Sequence, residues 1–404
     1  AGESGAGGRG ASPLRAGADG ARVWSAGRGW QLQNKLDLRF PERSTEQERL
    51  WEEAFPFEVP HSAVEEAAVV GGKNVVLLNN FGAVVWLRCR KGTPIIKELK
   101  GSKGKDWPGA LGRYWTLSPS GEHLAFGVGT RWTGGETYLR KVGRTGEAPG
   151  AEAAFQSDVR VDFSANSTHL VSSMHYGTPV VRSARTGEVV TTLNSARDER
   201  GDNMFIGAVV FSPKGDLVIA AASFANEDDG GQVLVWKVDT GMLERRFDFF
   251  TKPRHATMPR IRVVSVAMSP CGGLVAACGV TKGGEKTIVQ VWPAAGGEPL
   301  SLAFDQPGKK VFNGLYHGTD PRVRLRFSPD GTHLLSVMED FGAVQVWNVS
   351  SGKLVLSLPE SGATGGEVRF ATFLADDALL AGYMNLQKTR EPQSTSIGIW
   401  RRAR

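Results

Sequence analysis

The 404-residue chain is 41% hydrophobic and 22% charged, an ordinary balance for a soluble globular protein with a sizeable core. No apolar run approaches the roughly 18–20 residues needed to span a bilayer, so no membrane segment is expected. Cys89, Cys271 and Cys278 are too few for a disulfide framework, which favours a reducing, cytoplasmic setting, and a net charge of +6 with a pI near 9.2 permits a polyanionic partner.

In chain order, residues 1–20 are dominated by Gly and Ala and have neither the basic start nor the apolar core of a signal peptide. They read as a tail or linker, and the missing initiator Met fits a processed terminus or a piece of a longer polypeptide. Residues 21–57 form a second segment. Trp24 and Gly29 share the five-residue spacing of Trp347 and Gly352 far downstream, and an alternating run, Gln31 to Leu38, follows them. A short helix is expected next, because Thr45 and Glu48 make a capping box ahead of Leu50, Trp51 and Phe55, and Pro56 closes it.

Residues 58–404 then repeat one pattern seven times. Its clearest copy is Arg324 to Leu358, where four short apolar runs are each closed by a cluster of turn residues such as Ser328-Pro-Asp-Gly331. Related units begin near Glu65, Trp115, Val161, Val209, Val266 and Val368. Ser118, Ser164, Ser212, Ser269 and Ser328 mark one repeated position, and Trp86, Trp236, Trp292, Trp347 and Trp400 mark another. Arg140 and Arg182 stand near the Trp position in units two and three. A period of roughly 40–50 residues with four strands each points to a propeller, in which each blade buries both faces against its neighbours.

The FSPDG-type turn and the VxVW…G segment resemble those of the WD-repeat β-propeller family, over about Val59 to Arg404. The resemblance implies an all-β, seven-bladed propeller of four-stranded antiparallel blades. No unit has Asp directly after its Trp, and the Gly-His pair that opens a typical family repeat is missing, so the family's buried Asp–His–Ser/Thr–Trp network is not carried over. The seventh unit stops after its third strand. Gln31–Leu38 is therefore expected to supply the fourth and close the ring, which removes a bare sheet edge. Val23-Trp24 then duplicates a third strand already supplied by Ile399-Trp400, so it either lies outside the sheet or is the remnant of an eighth unit.

Chemistry-bearing constellations are few. His123, His169 and His333 recur at one strand start, which argues a structural role, and the other histidines have no metal-ligand spacing. Gly279–Thr287 misses the phosphate-loop pattern because Glu285 separates Gly284 from Lys286 and a strand follows in place of a helix, so it reads as a hairpin turn. The acidic turns at Asn226–Gly230 and Glu339-Asp340 lack the alternating ligands of a calcium loop. No Gly-x-Ser-x-Gly elbow occurs. Neither a catalytic site, a cofactor nor a metal is expected. Asn166-Ser-Thr168 and Asn348-Val-Ser350 fit the glycosylation pattern by chance, inside repeat turns.

Arginine at the start of the first strands is the more suggestive feature. Arg113, Arg160, Arg262, Arg324 and Arg369 precede the turn Ser position by a few residues, with Arg322 nearby. In propellers that this chain resembles, the first strand lines the central channel, so these guanidiniums are expected at a cationic mouth able to grip carboxylates or phosphates. Arg131-Trp132 and the basic loop holding Arg254 and Arg260 are placed on the same face. The expected function is a non-catalytic interaction platform for an acidic peptide or protein, with nucleic acid as a further candidate. The alternative is the sensor or regulatory propeller of a larger signalling or effector protein.

Overall fold

Each repeat folds into one antiparallel sheet whose four strands follow in chain order. In the computed structural model, the described residues are 24–25, 30–39, 64–70, 74–79, 84–90, 93–98, 114–128, 136–141, 153–156, 161–173, 177–194, 196–197, 201–224, 230–249, 261–281, 287–303, 323–338, 343–358, 366–375, 377–385 and 394–402. The helix expected between Glu42 and Phe57 lies outside them.

Blade one comprises Val64–Val70, Asn74–Asn79, Val84–Arg90 and Thr93–Glu98; blade two, Tyr114–Leu117, His123–Val128, Glu136–Lys141 and Ala153–Gln156. Blade three comprises Val161–Phe163, His169–Ser172, Val180–Ser183 and Val189–Thr192; blade four, Phe205–Phe211, Leu217–Ser223, Gly231–Lys237 and Leu243–Phe249. Blade five comprises Ile261–Met268, Leu274–Thr281, Thr287–Pro293 and Leu300–Ala303; blade six, Val323–Phe327, His333–Met338, Ala343–Asn348 and Leu354–Leu358. Blade seven is built from Gly366–Ala375, Ala378–Asn385 and Ser394–Arg402, and Trp30–Arg39 adds to its third strand.

That addition closes the ring. Trp30–Arg39 runs antiparallel to Ser394–Arg402 along its whole length, with Leu36 opposite Ile397 and one bulge between Leu32 and Asn34. The chain's two ends therefore share one sheet, as the missing fourth strand of the last unit implied. Trp24–Ser25 does not lie outside the sheet. It folds back on Gln31 and Leu32 as a fifth, outermost strand of the same sheet. A hairpin partner on the outer edge competes with nothing already paired.

Consecutive blades pack first strand to first strand from blade one to blade six, and the first strands of blades seven and one meet to complete the circle. The second and third strands of blades four and six are buried on both faces, which explains their near-continuous apolar sequences. Outer strands such as Leu243–Phe249 alternate between exposed and buried positions instead. Apolar cores fill the gaps between blades. Trp236 packs with Val171, Val181 and Leu193 of blade three, Trp347 with Val289 and Leu302 of blade five, and Trp400 with Val344 and Leu356 of blade six. Each tryptophan thus faces the preceding blade, and full burial of such a side chain is worth about 1.5–3 kcal/mol.

Register corrects one position. Trp236, Trp292, Trp347 and Trp400 sit opposite the second residue of their neighbouring strand, and so do Arg140 and Arg182. Trp86 sits opposite Val76, the third, and Leu87 takes the repeated place. The physical reason is the period of two along a strand: one step in register exchanges the two faces. Arg182 fills the Trp place in blade three by laying its guanidinium 4.3 Å from the centre of the Phe155 ring of blade two. It also donates to Gly187 O at 3.1 Å, and burial lowers its pKa.

The repeated serine explains the first turn of each blade. Ser118, Ser164, Ser212, Ser269 and Ser328 are all buried, and each Oγ accepts from the backbone N–H five residues on, at 2.9–3.0 Å. A side-chain oxygen thereby replaces the carbonyl that a regular ladder would supply. Gly121, Gly215, Gly272 and Gly331 occupy the turn with φ of 74–75°, a region costly for a residue with a Cβ. Blade three has Ser167 there instead, at φ 61°. The recurring histidines are structural in this respect: His123, His169 and His333 supply the N–H groups that three of these serines accept.

Candidate functional site

The first strand of blade six carries two kinds of side chain in alternation. In Val323–Phe327 the odd residues are buried in a core shared with blade five, whereas Arg324 and Arg326 are half-buried; the whole strand lines a cavity on the ring axis. All seven first strands contribute to this cavity of about 510 Å³, so it is the central channel. Pro119, Pro270 and Pro329, from turns between first and second strands, form part of its wall. The cavity therefore lies toward the Ser-Pro turns, and on blades three and six it extends to the strand starts at Val161 and Val323.

Three side chains hold the inner edges of neighbouring blades together beside it. Asp162 Oδ2 accepts from the Phe211 N–H at 2.9 Å, Ser223 Oγ from the Val263 N–H at 2.9 Å, and Ser265 Oγ from the Leu325 N–H at 3.2 Å. An innermost strand has no further strand to pair with on its channel side, so these acceptors satisfy donors that the sheets themselves leave over. They also restrain the rotation of one blade against the next at the three junctions from blade three to blade six.

Arg326 donates from Nη1 to Thr372 Oγ1 of blade seven at 3.3 Å, which ties its side chain to the adjoining wall. Thr372 is buried and also lines the cavity, as do Thr116 and Asp162. The described lining thus has a positive sector on blade six, one carboxylate on blade three, and hydroxyls and apolar side chains between them.

Of the arginines expected at the mouth, Arg324 is on the channel wall. Arg262 is the second residue of its strand and lies outside the cavity lining; its guanidinium sits 5.5 Å from the Phe205 ring centre on blade four. Arg369 stands at the bulge between Val368 and Phe370 in the first strand of blade seven. Arg113, Arg160, Arg322, Arg131, Trp132, Arg254 and Arg260 lie outside the described residues. The structure brings together Arg324 and Arg326, and sets Arg262 apart from them. Arg326, Asp162 and Thr372 lie further along their strands than the strand-start arginines expected at the mouth. The signal was present in Val-Arg-Leu-Arg-Phe, whose period of two places both arginines on one face.

The hairpin expected at Gly279–Thr287 is present, with Val280 paired to Thr287. Asn166 and Asn348 are both used by their turns: Asn166 Oδ1 accepts from the Thr168 N–H at 3.1 Å and Asn348 Oδ1 from the Ser351 N–H at 3.0 Å.

No protein-family model matches the sequence. A search of curated proteins also finds no match. Among solved structures, the chain is similar to the β-propeller domain of Cps50 (Swd1) from Myceliophteria thermophila, with a TM-score of 0.56 at 13% sequence identity, over 85% of this chain and 98% of that one. At that identity the likeness speaks to fold, and it agrees with the seven sheets described above. The chain has the fold of a WD-repeat β-propeller.

Proposed function

We propose that the protein is a non-catalytic interaction platform whose arginines at the strand-start end of the channel hold an acidic protein or peptide. The observation that carries this reading is Arg324, half-buried on the wall of a channel whose blades are locked to one another by side-chain-to-backbone hydrogen bonds. A guanidinium held on a rigid frame loses little freedom when it grips a carboxylate, so its planar fork adds both affinity and orientation. Closing the ring through Trp30–Arg39 makes that frame one body, as a platform needs.

The test is affinity capture with wild-type protein and an Arg113→Glu, Arg160→Glu, Arg324→Glu variant, at low and high salt, with nuclease added in parallel. The expected result is a captured acidic protein that is released by salt, lost in the variant and insensitive to nuclease. Unchanged capture by the variant would refute the cationic mouth. Release by nuclease would assign the face to nucleic acid instead.

A further inference from the structure

We propose that the turn-side half of the channel is a second binding site, which takes an extended peptide carrying acidic side chains at alternate positions. The site is a cavity of about 510 Å³, within the size range of small-ligand sites. It extends past the strand-start face toward the turns, and Arg326 allows it to be tested apart from what binds there. Arg324 belongs to both, whereas Arg326 and Thr372 belong to this site alone.

Its chemistry follows from the spacing. Arg324 and Arg326 alternate with buried residues on one strand and both line the cavity, so they share one face of the strand two residues apart. That step is about 6.7 Å along a strand, and an extended peptide repeats its side chains on one face with the same step. Two carboxylates on alternate residues therefore meet two guanidiniums without bending either chain. The arginine charge is permanent, so the attraction does not depend on pH near neutrality. Leu117, Val210 and Phe373 lie among the same lining and give the residue between the two acids an apolar surface. They also lower the local dielectric, which strengthens the attraction.

Asp162 decides against a uniformly anionic ligand. It stands on blade three, three blades round the ring from Arg326, with one oxygen on the Phe211 N–H. Polyphosphate or nucleic acid would bring negative charge to every wall, including this one, and like charges facing each other cost affinity. A peptide with acids on one side and apolar or neutral groups on the other has no such conflict.

The test uses the full chain and a fluorescent, end-capped Glu-Val-Glu-Val-Glu peptide in an anisotropy titration, with the Gln-Val-Gln-Val-Gln peptide and free heptanedioate in parallel. The acidic peptide should bind and the glutamine peptide should not. Arg326→Gln should weaken binding about tenfold or more, the scale of one charge-assisted hydrogen bond. Arg326→Lys, which keeps the charge and loses the fork, should fall between, and Arg262→Gln, outside the cavity, should bind as the wild type does. Heptanedioate binding with the same Arg326 dependence, without peptide binding, would overturn the peptide and show the site to take free dicarboxylates. Failure of the acidic peptide and heptanedioate alike, or equal effects of Arg326→Gln and Arg262→Gln, would overturn the site. Loss in Arg262→Gln alone, with Arg326→Gln unchanged, would place the peptide at the strand-start end and overturn this site while supporting the platform reading.

Discussion

Ser328→Ala tests whether the repeated serine is a structural acceptor. Ser328 is fully buried; its Oγ accepts from the His333 N–H at 2.9 Å and donates to Asp330 Oδ1 at 2.6 Å. Alanine leaves the His333 N–H without its acceptor, in a residue only 4% exposed. Stranding a buried donor costs about 1–3 kcal/mol, and loss of the bond to exposed Asp330 adds about 0.5–1.5 kcal/mol. Asp330 keeps the Thr332 N–H at 2.9 Å, which limits that second part. The expected loss is thus about 2–4 kcal/mol. Urea denaturation followed by circular dichroism and tryptophan fluorescence measures it as a lower midpoint at unchanged slope. Ser351→Ala, in an exposed turn of the same blade, should stay within about 0.5 kcal/mol of wild type. A Ser328→Ala loss no larger than that of Ser351→Ala would refute the claim that the serine stands in for a ladder carbonyl.

Two further outcomes follow from the same turns. Ser167→Gly should stabilise the protein by about 1 kcal/mol, since Ser167 alone among the described non-glycine residues has positive φ, and its only gain is a 2.9 Å bond from the exposed Ser120 N–H; thermal unfolding reads this as a higher Tm. Asp330 supplies a pH dependence. Burial raises its pKa, but hydrogen bonds from Ser328 and Thr332, with His333 nearby, outweigh that and hold the carboxyl below its usual value. A carboxyl whose folded pKa is depressed contributes stability above its unfolded pKa of about 3.9 and loses it as pH falls through the lower folded value. Asp330→Asn should therefore flatten the stability profile below about pH 4, and urea midpoints across that range would show it.

Much of the fold was legible in the sequence because its causes are local. A Ser-Pro turn, a φ that favours glycine and a run alternating with period two are written within a few residues, and each recurs. Ring closure was also legible, since a last blade with three strands and an unmatched alternating run at the other end have one economical solution. Trp86 shows where local reading fails. Its sequence context matches the other tryptophans, but blade one turns from Val70 to Asn74 with one residue fewer than blade six uses between Ser328 and His333, and pairing places Leu87 at the repeated position. Arg262 shows the same for the site: its place near the strand start was readable, but its stacking on Phe205 depends on the neighbouring blade.

The opposition of Arg326 and Asp162 belongs to tertiary structure entirely. The sequence by itself determined that both residues precede a turn serine by two positions, and hence that both lie at one level of their strands. That they share a cavity, three blades apart, required the ring to close with a radius that leaves the axis open. The physical reason is that strand period and turn chemistry act between neighbours along the chain, whereas a channel is a property of how seven sheets divide a circle. Only that closure turns two unrelated positions into facing walls of one site.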